Sequence, residues 1–477
     1  MERMDFNAEI GPGAVMPEKG GHIHFIGIGG SSMSGLALIA LDKGYVVSGS
    51  DASDSSVLNV LRSKGITVYG RQSADNITSD ISLVVYTVAV PETNPELSKA
   101  RGLNIPVIER GKFLGLISRN YEKCISVTGT HGKTTTTAML SSIFLTAEKD
   151  PTIHLGGTFP LIEGSVRTGG EEYLLTEACE YHAHMLSIDS FAGIILNVED
   201  EHLDFYKTHE NLARAFAVFA GNIPENGFLI VCKSDPGAME AKSAAICPVY
   251  TYALSRDDLK AKYEADDIVF TETGSEYTLL IYGEPAARIK LNVPGEHNIL
   301  NSLAASAAAL TSGIDIGSVV EGLARFEGTG RRFENVGNVK GAALIDDYAH
   351  HPTEVRVTVD SAKKMIRKGG RLIALFQIHT FTRAKKFKTE FAEALRPADE
   401  IIVTDIYPAR EIDTGEISGS MINDYFVSRG LNSTFIRSFD EIARHVYSEL
   451  GENDIVLSLG AGDINKVLGK IKALDAE

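Results

Sequence analysis

Short apolar runs alternate with helical segments along most of this chain. The runs at 24–27, 82–88 and 228–232 predict buried strands, and the periodic segments at 209–222 and 298–312 predict helices. Strands that alternate with helices over about 100 residues predict a parallel sheet covered by helices. The pattern therefore predicts the α/β fold class.

Polar breaks in the pattern divide the chain. A length of 477 residues suggests three domains at about 150 residues each. The first 20 residues carry acids and a Gly-Pro-Gly but no apolar run, and they predict a flexible leader. The other predicted parts are a Rossmann-like domain at 21–120, a central P-loop α/β domain at 121–327 and a C-terminal Rossmann-like α/β domain at 328–477.

Charge and composition exclude several classes of function. The formal net charge of −17 argues against nucleic acid or an anionic membrane as the main partner, because both need a basic surface. No apolar run reaches the ~18 residues of a membrane span. The cysteines show no zinc or redox spacing, which indicates free thiols in a reducing compartment; they are Cys124, Cys179, Cys232 and Cys247. We expect a cytoplasmic protein.

Residues 128–137, Thr-Gly-Thr-His-Gly-Lys-Thr-Thr-Thr-Thr, follow the apolar run 124–127. A glycine loop between a strand and a helix turns its N–H groups toward phosphate oxygens. Lys133 would reach the outer phosphates, and the Thr134 hydroxyl would hold Mg²⁺. A Gly/Thr-rich turn that only caps a helix is the alternative. The sequence favours a nucleoside triphosphate site, in which Lys133 packs against nothing.

A second glycine loop, Gly27–Gly35, lies between the first strand and helix. With Asp51 on a ribose, it could be a dinucleotide or nucleotide-sugar site. Ser32 stands where the third glycine of the dinucleotide fingerprint belongs, so a tight turn of an α/β fold explains the loop equally well.

Polar residues follow further strands of the central domain. Glu177 ends a predicted strand and could bind Mg²⁺, or could be a solvated acid. The segment 197–204, with several acids and His202, could add a second metal site. The polar residues that open the helix after 296 could pair with an adenine edge or could simply cap the helix; they are His297, Asn298 and Asn301.

Two successive strand ends of the C-terminal domain, at 346–352 and 376–383, carry His, Tyr and Arg, and a third polar strand end follows at 405–411. Each of these segments alone could be an ordinary surface loop. Such residues at one sheet edge predict a substrate site. Arg383 suits a bidentate grip on a carboxylate.

Taken together, these motifs resemble the Mur ligases, and within that family the branch that adds L-alanine to UDP-N-acetylmuramate. The resemblance extends from about 22 to 470. It rests on HFIGIGGSSMSGLA, GTHGKTTTT, EACEYHAHM, the 197–202 segment, PGEHNILN, GTGRRFE, DDYAHHPTEV, FQIHTFTR, DIYPAREIDTG and LGAGD. No lysine lies between Lys207 and Lys233, where ligases for later amino acids carry a modified lysine, and this favours the alanine branch.

The resemblance implies the activity. The family joins an amino acid to a carboxylate with ATP and Mg²⁺, here through an acyl phosphate on the lactyl group of UDP-N-acetylmuramate, in peptidoglycan precursor synthesis. The implied domains bind nucleotide sugar, ATP and amino acid in chain order. The implied partners are UDP-N-acetylmuramate and L-alanine, and the expected state is a monomer or weak homodimer.

The resemblance also implies residue roles. The implied catalytic residues are Lys133, Glu177, His202 and Arg331, with Thr134, Glu177 and His202 as metal ligands. The implied nucleotide contacts are Gly129, Thr130, His131, Gly132, Lys133, Thr134, Thr135, His297, Asn298, Asn301, Arg331 and Asp347. The implied substrate contacts are Gly27, Gly29, Gly30, Ser32, Met33, Asp51, Tyr348, His350, His379 and Arg383.

Departures from the family pattern occur at Ser32, Glu201, Ile378 and Thr380. Four other functions compete with the main one. A ligase that attaches a whole tripeptide to the same nucleotide is the nearest. An NAD-binding dehydrogenase would explain Gly27 and Asp51 but not Lys133. A kinase or bare ATPase would leave His379 and Arg383 unused, and a non-catalytic nucleotide-binding module would not need Lys133, Glu177 and His202 together.

Overall fold

The computed structural model describes residues 4–6, 15–271, 274–409 and 411–476. The chain divides into two compact units, Met1–Glu327 and Gly328–Glu477. Three sheets of five, ten and six strands carry the fold, the first two in the first unit and the third in the second unit. The predicted α/β class is confirmed. The predicted boundary at 120, inside the first unit, stays a prediction.

The first sheet is parallel, with strand order β3-β2-β1-β4-β5. Reversal of the strand order at β1 and β4 is typical of doubly wound sheets, which bind ligands at that point. Its elements are β1 (His22–Ile26), α1 (Ser31–Asp42), β2 (Val46–Ser50), α2 (Ser56–Ser63), β3 (Thr67–Tyr69), β4 (Ile81–Tyr86), α3 (Pro95–Gly102), β5 (Val107–Glu109) and α4 (Arg110–Ser118).

The second sheet has a parallel centre and antiparallel edges. Its order is β15-β14-β13-β12-β11-β10-β6-β9-β7-β8. Its strands are β6 (Lys123–Thr128), β7 (Thr152–Phe159), β8 (Gly164–Arg167), β9 (Tyr173–Glu177), β10 (Ala192–Ile195), β11 (Phe228–Cys232), β12 (Val249–Leu254), β13 (Tyr263–Phe270), β14 (Ser275–Ile281) and β15 (Glu284–Leu291). Its helices are α5 (Lys133–Thr146), α6 (Leu203–Tyr206), α7 (His209–Asn222), α8 (Pro236–Ala241), α9 (Glu296–Thr311) and α10 (Ile316–Ala324).

The third sheet has the order β16-β17-β21-β18-β19-β20, and only β16 is antiparallel to its neighbour. Its strands are β16 (Glu334–Val339), β17 (Ala342–Asp347), β18 (Leu372–Phe376), β19 (Glu400–Val403), β20 (Ser433–Phe435) and β21 (Ile455–Leu459). Its helices are α11 (Pro352–Met365), α12 (Phe381–Leu395), α13 (Gly419–Ser428), α14 (Phe439–Glu449) and α15 (Lys466–Ala476).

The register of the second sheet brings three segments with predicted site residues to one edge. Val127 of β6 pairs with Glu177 of β9 on one side and with Ile194 of β10 on the other. The carboxyl ends of these parallel strands therefore lie together, as expected for a ligand-binding edge. The phosphate loop, Glu177 and the 197–204 segment all begin there.

Part of the predicted leader packs against the first unit. The Phe6 side chain is 4% exposed. Its ring lies 6.4 Å from the Tyr206 ring, and the Arg214 guanidinium carbon lies 4.9 Å from the centroid of the Phe6 ring. Arg214 also donates to the carbonyl of Met4. Residues 1–3 and 7–14, on which most of that prediction falls, lie outside the described residues.

Within the described residues, no helix combines the length and the apolar character needed to cross a membrane.

Candidate active site

Two glycines shape the loop between β6 and α5. Gly129 and Gly132 have φ angles of 141° and 85°, which L side chains rarely adopt. A Cβ on Gly129 would lie 2.9 Å from the Leu196 Cβ, and one on Gly132 would lie 2.6 Å from the Asn301 Oδ1. The loop conformation therefore needs glycine at both positions. Thr134 is buried and Thr135 half-buried in the first turn of α5.

The segment after β10 holds this loop in place. The His131 N–H donates to the Asn197 Oδ1 at 2.8 Å, and the Asn197 Nδ2 donates to the His131 carbonyl at 3.1 Å. The Thr130 N–H donates to the Asn197 carbonyl at 3.0 Å, and the Glu199 N–H donates to the Thr130 hydroxyl at 2.9 Å. The loop is thus built from protein contacts alone.

Lys133 lies at the centre of a buried charge cluster. Its Nζ lies 2.8 Å from the Glu180 Oε2, and it donates to the Gly129 carbonyl at 2.5 Å and to the Thr130 carbonyl at 3.0 Å. The other Glu180 oxygen, Oε1, lies 3.3 Å from the His202 Nε2. Glu180 therefore joins the phosphate-loop lysine to the predicted metal-binding histidine.

These charges set the ionisation of the cluster. Burial alone would raise the pKa of the Glu180 carboxyl, but Lys133 and His202 outweigh burial and hold the pKa at about 2. Burial would lower the pKa of Lys133, but the Glu180 charge outweighs it and raises that pKa. Both groups are ionised near neutral pH. The expectation that Lys133 packs against nothing is wrong, because its partner is a carboxylate that is only 2% exposed.

Glu177 ends β9, as predicted. Its Oε1 accepts the Gly156 N–H at 2.6 Å, and its Oε2 accepts no hydrogen bond from the residues that the structure describes. Glu177 thus offers an oriented carboxylate with an open oxygen, and Thr134 opens the helix after the phosphate loop that follows the adjacent strand. Carboxylate and hydroxyl oxygens are donors that Mg²⁺ prefers. Glu177 and Thr134 therefore fit Mg²⁺. For His202 the structure shows the Glu180 contact, and its metal role stays a prediction.

The start of α9 borders the phosphate loop through the approach of Asn301 to Gly132. The Asn298 Nδ2 donates to the Pro294 carbonyl at 2.7 Å, and the Asn301 Nδ2 lies 3.4 Å from the Asn298 Oδ1. The His297 Nδ1 is enclosed and has no hydrogen-bond partner among the described residues, and burial lowers the pKa of His297 to about 4. A neutral imidazole with an open nitrogen suits a nucleobase contact, which stays a prediction.

In the first glycine loop, Asp51 supports the loop. Its Oδ2 accepts the Gly29 N–H at 2.9 Å and its Oδ1 accepts the Ser53 N–H at 3.0 Å, so both carboxylate oxygens already bind backbone. Gly27 has a φ of 82°, and its carbonyl accepts the Gly30 N–H at 3.3 Å. The Met33 side chain is 2% exposed and lies in the core, so only its backbone is left to contact a substrate.

In the second unit, Arg331 is held by its own sheet. It donates to the Asp346 Oδ2 at 3.1 Å and to the carbonyls of Gly460 and Gly462 at 2.7 and 3.1 Å. Asp347 accepts the N–H groups of Phe333 and Ala349, and its burial raises its pKa to about 7. The structure thus shows how both residues are positioned, and their contacts with ATP stay a prediction.

Four rings follow one another at the carboxyl edge of the third sheet. The Tyr348 and His350 ring centroids lie 5.4 Å apart, those of His350 and His379 5.9 Å, and those of His379 and Tyr407 5.7 Å with nearly parallel planes. The Arg383 Nη1 donates to the His379 Nδ1 at 3.1 Å. The structure therefore brings the four predicted acceptor-site residues together.

The comparisons with known proteins cover the whole architecture. The Mur ligase family catalytic-domain model matches residues 22–122, the Mur ligase middle-domain model matches 127–309, and the Mur ligase glutamate-ligase-domain model matches 331–462. The chain belongs to the Mur ligase family.

Relatives within the Mur ligases extend over nearly the full length. The UDP-N-acetylmuramate–L-alanine ligase of Clostridium kluyveri is 46% identical over 450 residues, which are 94% of this chain and 97% of that protein. The structure of UDP-N-acetylmuramate–alanine ligase from Thermotoga maritima matches with a TM-score of 0.81 and 30% identity over 95% of this chain and 99% of that chain. A murein peptide ligase from Psychrobacter arcticus shares the fold, with a TM-score of 0.72 and 24% identity over 96% and 99% of the two chains.

Two residues, one in each unit, contact predicted site residues although neither of them was assigned a role from the sequence. Glu180 lies three positions after Glu177 inside EACEYHAHM, and a second acid so close to a metal-ligand candidate was the available signal. Tyr407 lies in the predicted polar strand end 405–411, and what the structure adds is its pairing with His379 through the bridge between the two segments.

Proposed function

We propose that this Mur ligase joins L-alanine to the lactyl carboxylate of UDP-N-acetylmuramate, with conversion of ATP to ADP and phosphate, in peptidoglycan precursor synthesis. The observation that carries the proposal is the 46% identity with an enzyme of that name over 94% of this chain. The phosphate loop, whose lysine is held by Glu180, would serve phosphoryl transfer. The ring-lined site of the third sheet would bind the amino acid.

The first step transfers the γ-phosphoryl group of ATP to the substrate carboxylate. A carboxylate is a poor acyl donor, and phosphorylation gives it a leaving group. Negative charge on the phosphoryl oxygens is neutralised by Lys133, whose ammonium is fixed by Glu180 before any nucleotide binds. Thr134 and Glu177 would hold Mg²⁺, which adds positive charge at the same phosphates.

The second step is attack of the alanine amino group on the acyl phosphate, followed by loss of phosphate from the tetrahedral intermediate. We propose that Arg383 binds the alanine carboxylate, because a guanidinium forms paired hydrogen bonds with carboxylates. The His379 ring orients that guanidinium through the 3.1 Å contact.

The setting of the reaction is also proposed. We place it in the cytoplasm, where ATP is supplied and where the four unpaired cysteine thiols stay reduced. A monomer or weak homodimer remains our prediction for the oligomeric state.

One assay tests the proposal. The purified chain is incubated with ATP, Mg²⁺ and UDP-N-acetylmuramate, and with L-alanine, the tripeptide or no acceptor, while phosphate release and product mass are followed. We expect acceptor-dependent phosphate release and a product one alanyl residue heavier. A product made only with the tripeptide would identify the recycling ligase instead, and phosphate release without any acceptor would identify an ATPase.

A further inference from the structure

Arg110, the first residue of α4, is half-buried without a charge partner. Its Nη1 donates to the Ser32 hydroxyl at 2.9 Å, and its Nη2 lies 3.3 Å from the His184 Nδ1. Among the residues that the structure describes, no carboxylate forms an ion pair with it. A partly buried guanidinium is costly without an anion, and two of its five N–H groups are in use. An anionic ligand is therefore the missing partner.

His184 fixes one side of this guanidinium. Because arginine only donates, the His184 Nδ1 must accept, so the ring proton sits on Nε2 and is donated to the Glu109 Oε2 at 2.9 Å. Gly111 allows the close approach, since a Cβ there would lie 2.2 Å from the His184 Cγ.

The same proton argues against a metal at this place. Glu109, His182 and His184 have ligand atoms within 4.8 Å of one another, a spacing that could hold a metal ion. A metal needs a free lone pair on the His184 Nε2, which carries the proton as long as Arg110 occupies Nδ1. His184 therefore orients the Arg110 guanidinium.

Ser32 fixes the other side. Its hydroxyl lies 3.0 Å from the His154 Nε2, and the His154 Nδ1 lies 3.1 Å from the Thr176 hydroxyl. Thr176 directly precedes Glu177, the proposed Mg²⁺ ligand. This polar chain joins the first glycine loop to the ATP edge of the second sheet, and its first member is the residue that departs from the family glycine.

Both partners of Arg110 lead toward the edge of the second sheet that carries the phosphate loop. His184 lies four positions after Glu180, the carboxylate that pairs with the Lys133 ammonium. Ser32 leads through His154 to Thr176 of β9. An anion bound to Arg110 would therefore lie on the side of the phosphate loop.

We infer that Arg110, oriented by Ser32 and His184, binds the carboxylate of the nucleotide-sugar substrate and holds it for phosphorylation. The inference rests on the function proposed above and adds a residue that selects the carboxylate-bearing sugar. A guanidinium held on two edges can offer its remaining N–H groups as a paired donor to a carboxylate.

The test compares two ligands by calorimetry on the full-length chain. UDP-N-acetylmuramate and UDP-N-acetylglucosamine share the uridine, the diphosphate and the acetylated sugar, and only the first carries the lactyl carboxylate. We expect Arg110→Gln to weaken binding of UDP-N-acetylmuramate about 10- to 100-fold, the usual value of charged hydrogen bonds, with UDP-N-acetylglucosamine affected less than about twofold.

Two further variants complete the test. Ser32→Gly keeps the arginine but removes one of its supports, so it should weaken only UDP-N-acetylmuramate, by about 2- to 10-fold, and it remains informative if Arg110→Gln fails to fold. Arg119→Gln removes an exposed charge just after the same helix and should change neither affinity.

The outcomes separate the inference from the proposed function. Equal losses for both ligands would assign Arg110 to the diphosphate, and unchanged affinities would make it a structural residue; either result overturns the inference alone. A wild-type chain that binds neither ligand would overturn the proposed function and the inference with it.

Discussion

The carboxyl edges of the second and third sheets are built by different means. At the second sheet, buried opposite charges hold the chemical groups, with Glu180 between Lys133 and His202. At the third sheet, a row of contacting rings does this work, and the Arg383 guanidinium is oriented by the His379 ring.

The contrast fits the ligands proposed for the two edges. Phosphoryl transfer needs a cation that is held in place before negative charge develops on the phosphoryl oxygens. A buried carboxylate can hold that cation, but loss of the cation then lowers stability as well as activity. Recognition of a small amino acid needs a site of complementary shape and one positive charge for the carboxylate. Rings supply shape at low entropic cost because they have few rotatable bonds. Substitutions at the edge of the second sheet should therefore cause large losses of activity, and those at the edge of the third sheet should cause graded losses.

The largest effect is expected for Lys133→Ala. Turnover should fall by about 10³-fold or more, because a charge aimed at the transition state is lost. The free energy of unfolding should also fall, by about 3 kcal/mol, because the buried Glu180 charge loses its ammonium partner. Steady-state phosphate release and urea unfolding measure the two effects.

A double variant sharpens this result. Lys133→Ala with Glu180→Gln removes both charges, so it should regain most of the lost stability and none of the lost turnover. If Lys133→Ala keeps more than a tenth of the activity, or unfolds like the wild type, the buried ion pair with Glu180 does not hold the catalytic lysine.

Arg383→Lys should have the next largest effect, at the other edge. Lysine cannot reproduce the planar fork, so the KM for L-alanine should rise about 10- to 100-fold while the KM for ATP stays unchanged. Titrations of each substrate at saturating levels of the others measure this. Arg396→Lys, in an exposed pair with Glu393, is the matched control. Superimposable alanine curves would remove Arg383 from the acceptor site.

A pH effect on stability is expected from His154 in the first unit. Burial and the Arg110 charge lower its pKa from 6.5 to about 4. The unfolded chain therefore binds a proton more tightly, so stability is lost as pH falls from about 6.5 toward 4. By pH 5 the loss from this residue should be about 2 kcal/mol. Chemical unfolding at pH 7.5 and 5 should show a smaller difference for His154→Gln than for the wild type, and equal differences would refute the assignment.

The smallest effect is expected for Tyr407. Tyr407→Leu removes the ring that stacks on His379 and should raise the KM for L-alanine about 2- to 10-fold, the usual worth of an aromatic pair. Tyr407→Phe keeps the ring and should behave like the wild type. A large effect of Tyr407→Phe would mean that the hydroxyl, and not the stack, matters.

Strand ends were the most predictable feature of the site. Glu177, Asn197 and His379 follow apolar runs, and parallel sheets bring such ends together, so their positions could be predicted from local pattern. The strands β13 and β15 were not predicted, because charged residues interrupt their apolar positions.

Partners brought together by folding could not be predicted in the same way. The sequence shows Glu180 as one acid among several, and only the structure shows that it is buried against Lys133. Ser32 stands at a glycine position of the family pattern, and only the structure shows that its hydroxyl lies between Arg110 and His154. Local pattern carries no information about contacts 78 or 122 residues apart.

The buried Phe6 has a practical consequence for anyone who shortens this chain. A version that starts at the first strand would keep all three sheets complete and would look like a sensible minimal protein. It would also uncover the ring of Tyr206, whose hydroxyl donates to the carbonyl of Glu180. The trimmed protein would expose apolar surface close to Glu180, the partner of Lys133. Aggregation or weaker nucleotide binding by such a protein would then result from the truncation and not from a change in the catalytic residues.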